Sequence, residues 1–290
     1  MALAMTAPIV NVSPNNPVFD LPIYVARDER LFERAGLEVR FQAKYSERRP
    51  SDADPFQRLK EALFEQGKAD VYNLCEWAGI DRSEKSARGA QVLALRPAVA
   101  AQAILSFEQD LQEPRDLAGV PIGINDRTGS HYTTLQTLEG VLARSDIVVE
   151  HVGVPERRYQ ALKERTSRAV AVMEPFISLG LKEGAHIVDL TFYRGAEVIA
   201  PHLTPEKRQA YLCAINDAAE RIMADFGKYK HYVTEQTRGA LAPHELSSHF
   251  VRYTHYMVYE AKRFQQVYEW MRSWGLASGE ADHARVVASF

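Results

Sequence analysis

The chain has 290 residues, 46% hydrophobic and 25% charged, with a formal net charge of −3. That length exceeds one ordinary core and allows one large or two modest domains, while the near-balanced charge gives no overall attraction for nucleic acid or an anionic membrane. Two cysteines, Cys75 and Cys213, are too few for a disulfide framework or a cysteine-rich metal site, and no run approaches the ~20 apolar residues of a membrane span.

Residues 1–8 carry neither a basic n-region nor an adequate apolar segment for a secretion signal. The chain therefore reads as cytoplasmic as it stands, and as periplasmic if an export signal was removed. Residues 9–12 form a short apolar strand stopped by Ser13-Pro14-Asn15-Asn16-Pro17, a loop by composition. Residues 18–35 place Ile23, Tyr24, Ala26, Leu31 and Phe32 on an amphipathic helix closed by Gly36. A strand over 37–41, a solvated loop over 46–55 and a helix over 56–65 lead to a strand over 69–74 that ends at Cys75-Glu76-Trp77. After an acidic linker over 108–116 comes a second series: strands over 120–124, 147–149, 169–172 and 187–188, with helices from Tyr132 and over 159–164. From Thr204 onward the pattern is almost entirely helical, with Leu212, Ile215, Ala219, Ile222, Met223 and Phe226 tracing one apolar face. Alternation of this kind predicts an α/β fold with mostly parallel sheets. Ligands in such sheets bind beyond the carboxyl ends of strands, which points to four loops: 13–20, 75–79, 125–131 and 174–176.

Asp126-Arg127-Thr128-Gly129-Ser130-His131-Tyr132 follows an apolar strand and opens a helix. The first amides of a helix lack intrahelical partners and lie at the positive end of its dipole. Small residues let a carboxylate, sulfonate or phosphate approach them, with the Thr128 and Ser130 hydroxyls as further donors; the alternative is that Ser130 or Thr128 simply caps the helix. His131 can donate to the anion or move a proton, or stand at a helix start without a role. Arg127 can complete the clamp or be a solvated loop arginine; Arg96 and Arg194 are weaker candidates. Cys75 is a thiolate nucleophile or a small buried hydrophobe. Glu76 contacts an amine or ring N–H or acts as an acid/base, or else charges a helix N-terminus. Phe19, Tyr72, Trp77 and Tyr132 stack on a planar ligand or pack in the core. Glu174 points into the cleft or caps a helix. His151, His186 and His202 show no metal spacing, and no Walker, Rossmann or nucleophile-elbow motif is present. The clusters Glu47-Arg48-Arg49 and Glu156-Arg157-Arg158 read as solvated faces.

Leu21-Pro22-Ile23-Tyr24-Val25-Ala26 followed by Leu31 to Val39 resembles the opening of type II periplasmic-binding-protein folds, in the NMT1/THI5-like and sulfonate/nitrate/taurine-binding group. Asp116-Leu117-Ala118-Gly119 is similar to that group's D-L-x-G start of its second lobe, Gly129-Ser130-His131-Tyr132 to its anion-holding turn, and Glu174-Pro175-Phe176 to its E-P-F segment. Val267-Tyr268-Glu269-Trp270-Met271 with Trp274-Gly275-Leu276 matches a common C-terminal helix. Pro14-Asn15-Asn16 resembles the P-N-x-N turn of pyrimidine-binding members, although the cysteine-rich motif of the yeast-type pyrimidine synthase is absent. The resemblance implies two lobes, residues 1–100 with 191–290 and residues 101–190, closing on a ligand in the cleft between them. It implies ligand contacts from Asn15, Asn16, Phe19, Trp77, residues 127–132, Glu174 and Phe176, with no cofactor. Two functions follow. One is an ABC-type solute-binding protein clamping a small anionic or planar heteroaromatic ligand, partnered by a permease if exported. The other is a cytosolic cofactor-independent lyase, a decarboxylase or desulfinase, using Cys75, His131 and Glu76.

Overall fold

The structure, a computed structural model, describes residues 7–45, 54–279 and 281–289. Most of the expected loop over 46–55, the Glu47-Arg48-Arg49 cluster and the first six residues lie outside the described residues. The apolar run Ile9–Val12 is strand β1. Asn16 caps the next helix, its Oδ1 accepting from the Val18 amide at 2.9 Å, with Pro17 in the first turn where no amide is needed. The single helix expected over 18–35 is two, α1 (Pro17–Asp28) and α2 (Leu31–Arg34), because Arg30 takes a left-handed conformation at φ 58°. After β2 (Glu38–Phe41), the helix expected from residue 56 also divides. A turn at Pro55–Gln57 is followed by an extended Arg58, and only then does α3 (Leu59–Glu65) begin.

Strand β3 (Val71–Cys75) is buried at every position and runs directly into α4 (Glu76–Lys85). Strand β4 (Gln91–Ser106) is followed by β5 (Ile122–Ile124), α5 (Gly129–Leu138), β6 (Val149–His151), α6 (Pro155–Lys163), β7 (Ala169–Val172), α7 (Phe176–Lys182) and β8 (His186–Ile199). Helices α8 (Pro205–Ala224) and α9 (Phe226–Thr234) then bury Leu212, Ile215, Ala219 and Ile222 as the periodicity requires, while Met223 is half exposed. The rest of the chain corrects the helical expectation: β9 (Val251–Tyr253) precedes α10 (Ala261–Ser273) and α11 (His283–Val286). β9 pairs with Ala98–Ala100 of β4, a stretch of strand edge that β7, whose pairing with β4 begins at Ala103, does not reach. Unpaired backbone there would be a cost that a helix could not relieve.

The strands form one sheet in the order β2-β1-β3-β8-β4-β7-β5-β6, with β9 beside β4. Pairing is parallel at both outer ends, among β1, β2 and β3 and among β5, β6 and β7. At the centre, β3–β8, β8–β4 and β4–β7 are antiparallel, so the sheet is mixed rather than mostly parallel. The two long strands β4 and β8 carry the chain between these ends. They pair along most of their length, with shifts of register between Val92 and Ala94, Leu95 and Val99, and Ile104 and Leu105.

Candidate functional site

The carboxyl ends of β1, β3, β5 and β7 open onto one cleft with a volume of about 130 Å³, close to that of a cavity able to admit a benzene ring. Its walls come from the loop after β1 (Pro14–Asn16), the start of α3 (Arg58–Glu61), the end of β3 (Leu74, Cys75) and the turn before α5 (Asn125, Thr128–Ser130). The start of α6, Met173 and Tyr193 of β8 complete it.

A network centred on buried Asp20 shapes the first wall. The Asn15 amide donates to Asp20 Oδ2 at 2.6 Å, and its side-chain nitrogen donates to Asn73, whose own side chain donates to Asp20. Arg96 Nη1 donates to Asp20 Oδ1 at 3.0 Å, and its Nε lies 3.2 Å from Glu197 Oε2. Burial pushes the pKa of Asp20 up against the pull of Arg96. Phe19 lines the cleft with its ring 5.3 Å from that of Tyr193.

The opposite wall is the turn into α5. Thr128 Oγ1 donates to Asn125 O at 2.7 Å, so in its 3.2 Å contact with Ser130 Oγ the proton comes from Ser130. Ser130 Oγ also accepts from the Asn125 amide at 3.0 Å. Both hydroxyl oxygens are thus engaged within the turn, although both residues line the cleft. The His131 and Tyr132 amides are the first to bond Thr128 O, at 3.0 and 3.1 Å, leaving the earlier Gly129 and Ser130 amides without an intrahelical acceptor. Gly129 is required there, since a Cβ would lie 2.5 Å from Tyr193 Oη.

Cations gather beside this turn. Arg58 Nη2 donates to Asp126 O at 2.8 Å, while its Nε and Nη1 are buried without a hydrogen-bond partner. Lys60 Nζ donates to Asn73 O at 3.0 Å and Asn15 Oδ1 at 3.3 Å. Burial lowers the pKa of both groups, because each charge has lost water. Arg158 Nε donates to Ala171 O at 2.6 Å and its Nη1 to Gly153 O, which sets a third guanidinium in the lining. The one carboxylate among the lining residues is Glu61.

Of the residues expected from sequence, Asn15, Asn16, Phe19, Cys75, Thr128, Gly129 and Ser130 line the cleft together. The others do not. Glu76 gives both carboxylate oxygens to Arg263 of α10, at 2.6 and 2.7 Å, and serves the C-terminal helix. Trp77 and Tyr132 stack on each other in the core at 5.8 Å, and Trp77 also meets Trp270. Tyr72 is buried against Phe64. The Arg127 guanidinium turns away to Leu276 O (3.2 Å) and Asp81 (3.7 Å). His131 Nδ1 sits 2.8 Å from Asp126 Oδ1 and 3.1 Å from the Arg127 amide, bracing the turn from outside the cleft. Glu174 accepts from the Ser178 amide at 3.0 Å and hydroxyl at 2.5 Å, the capping role. Phe176 faces a second, outer groove. Arg96 is spent on the buried network, and Arg194 donates to Arg96 O at 2.9 Å and Thr254 Oγ1 at 2.8 Å. Burial pushes the Cys75 thiol up to about 12, so the thiolate that a nucleophile requires does not form near neutrality.

Sequence reasoning missed Arg58, Lys60, Glu61, Arg158 and Tyr193. The first three fall within the helix expected over 56–65, and Arg158 within the Glu156-Arg157-Arg158 cluster read as a solvated face. Only the break at Arg58, presaged by Pro55, turns them toward the cleft. Among the described residues no group of three His, Cys, Asp or Glu side chains is placed to hold a metal ion.

No family model matches the sequence, and no curated protein matches it. Solved structures match in fold. The alkanesulfonate-binding protein SsuA from Xanthomonas axonopodis pv. citri, bound to MOPS, is 14% identical and superposes with a TM-score of 0.70, covering 99% of this chain and 97% of that one. The periplasmic aliphatic sulphonate binding protein SsuA from Escherichia coli is 13% identical with a TM-score of 0.72, covering 99% and 93%. The desulfurization enzyme DSZB is 13% identical with a TM-score of 0.63, covering 96% and 95%. The fold is that of the periplasmic binding proteins.

Proposed function

We propose that this chain is an ABC-type solute-binding protein whose cleft clamps a small anion, of sulfonate or carboxylate type, between two lobes. The lobes are residues 1–100 with 191–290, and residues 101–190, joined through β4 and β8. The observation that carries this is the meeting of the Arg58 guanidinium, with two buried unpartnered nitrogens, and the open amide end of α5. Three cations against one carboxylate line the cleft. An anion there satisfies donors that are otherwise buried without acceptors, and it lies on the positive end of a ten-residue helix. Two neighbours in fold are named as sulfonate-binding proteins, which agrees in ligand class. The partner of such a protein is a membrane permease that receives the loaded form.

The lyase reading draws on the likeness to a desulfurization enzyme and on the place of Cys75 in the lining. Against it, the thiol is held protonated, and neither Glu76 nor His131 reaches the cleft. A thermal-shift screen over sulfonates, carboxylates and pyrimidines, with mass spectrometry of the ligand afterwards, separates the two. The binding reading expects an anion that raises the melting temperature and is recovered unchanged. Conversion of that ligand, lost in Cys75→Ser, would establish the lyase instead.

A further inference from the structure

A groove of about 990 Å³ adjoins the cleft. Tyr45 and Val154 line both spaces, and at their boundary Asn16 of the cleft donates through Nδ2 to Gln236 of the groove at 3.2 Å. Helix α6 serves both: buried Arg158 lines the cleft, and its exposed neighbour Arg157 lines the groove. The charges of the groove are unevenly paired. Arg27 is held by Asp28 at 2.7 Å and lies over the Tyr24 and Phe41 rings. Lys163 is held at 2.9 Å by Glu183, which also accepts from Tyr159 Oη, and Glu156 is engaged as well. The side chains of Lys44, Arg157 and Arg238 have no ion pair or hydrogen bond among the described residues. Glu235 is the one carboxylate of the groove in the same condition. The three cations come from different segments: Lys44 just past β2, Arg157 on α6 and Arg238 in the turn after α9.

We propose that this groove is a second anion subsite continuous with the cleft, and that the ligand is an elongated dianion. One anionic group sits at the start of α5 and the other among Lys44, Arg157 and Arg238. This rests on the anion-clamp reading. The cleft, at about 130 Å³, holds one head group and a short body, so a longer molecule continues past Tyr45 and Val154 into the groove. Consecutive Cα atoms lie only ~3.8 Å apart, so Arg158 and Arg157 anchor neighbouring points along one short carbon chain. An exposed pair with a single cation contributes little, but three cations facing one unpaired carboxylate sum into a local positive field. A neutral tail would leave all three cations as they are, so the groove selects on charge rather than on bulk.

The test is a calorimetric titration of the full chain with 1-hexanesulfonate and with 1,6-hexanedisulfonate, which differ only in the second charge. The expected result is at least about tenfold tighter binding of the disulfonate by the wild type, beyond the roughly twofold that its two equivalent ends give by statistics. The margin should shrink several-fold between about 0.02 and about 0.2 M salt, because these cations are exposed. The double variant Arg157→Gln/Lys44→Gln should bring the margin below about threefold. The double variant Lys68→Gln/Arg115→Gln removes the same charge from exposed residues that line neither space, and should keep the margin. Wild-type affinities that differ by no more than the statistical factor overturn the second subsite and leave the anion clamp standing. So does a margin that survives in Arg157→Gln/Lys44→Gln, or one that falls equally in the control. Failure of the wild type to bind either sulfonate, or the matched carboxylates heptanoate and heptanedioate, removes both readings.

Discussion

Individual side chains here are decided by whether burial leaves them a partner. Cys75 and Glu61 lie on the same cleft, but the thiol is merely desolvated, whereas the carboxyl has Arg82 Nε beside it at 3.9 Å. Glu174 is the clearest titrating group outside the cleft. Burial raises its pKa to about 7 despite two bonds from Ser178, against an ordinary value of 4.5. Between those values the native state holds a proton that the unfolded state has lost, so stability falls as pH rises through that window. Buried Glu197, also raised to about 7, adds in the same direction. Urea midpoints should therefore be lower at about pH 8 than at about pH 5.5, and Glu174→Gln should regain stability chiefly at the higher pH. Equal midpoints at the two pH values, or a variant weakened equally at both, would show that Glu174 does not titrate in this way. The capping role was legible in sequence as one alternative for Glu174. The environment that shifts its titration was not, because it depends on elements distant in the chain.

At the scale of elements, α10 and the residues that follow it link α4, which follows β3, to the end of α5, which follows β5. Arg263 grips Glu76 at the start of α4, and Tyr268 Oη donates to Glu84 at 2.6 Å. On the other side, the Trp270 and Trp274 indoles both donate to Glu139 just past α5, the second at 2.8 Å, and Arg144 donates to Ser273 O at 2.6 Å. Glu139→Ala strands two indole donors and should cost about 1–3 kcal/mol in urea unfolding. A loss below about 0.5 kcal/mol, the range of an ordinary surface change, would mean the clasp carries no load. The C-terminal helix was visible in sequence from its apolar spacing and its resemblance to a family pattern, but its partners were not. Local propensity likewise placed β1, β3 and β7 to within two residues, since their patterns are continuous, but started α6 four residues late. It missed the breaks at Arg30 and Arg58, where a single residue's backbone departs from helix within an otherwise helical pattern. It also missed β9, which is a strand only because β4 offers an edge.

For the whole molecule, the order of strands and helices gave the α/β class, the family resemblance gave the fold, and the turn expected at 125–131 supplies one wall of the candidate cleft. The rest depends on what stands across the cleft, which no local pattern encodes. Arg58 belongs to the segment between β2 and β3, while the amide end of α5 belongs to the β5–β7 end of the sheet. The bond from Arg58 Nη2 to Asp126 O ties the two directly. In the proposed clamp a bound anion would add bridges at that point and so couple binding to closure. The measurement that bears most directly on this is titration calorimetry of wild type and Arg58→Ala with a sulfonate, a carboxylate and a phosphonate of three carbons. Anion capture across the cleft predicts that the wild type binds at least one of them, and that Arg58→Ala binds it roughly 10- to 100-fold more weakly through loss of charge-assisted bonds. Undiminished affinity in the variant, or no binding of any of the three by the wild type, would contradict it.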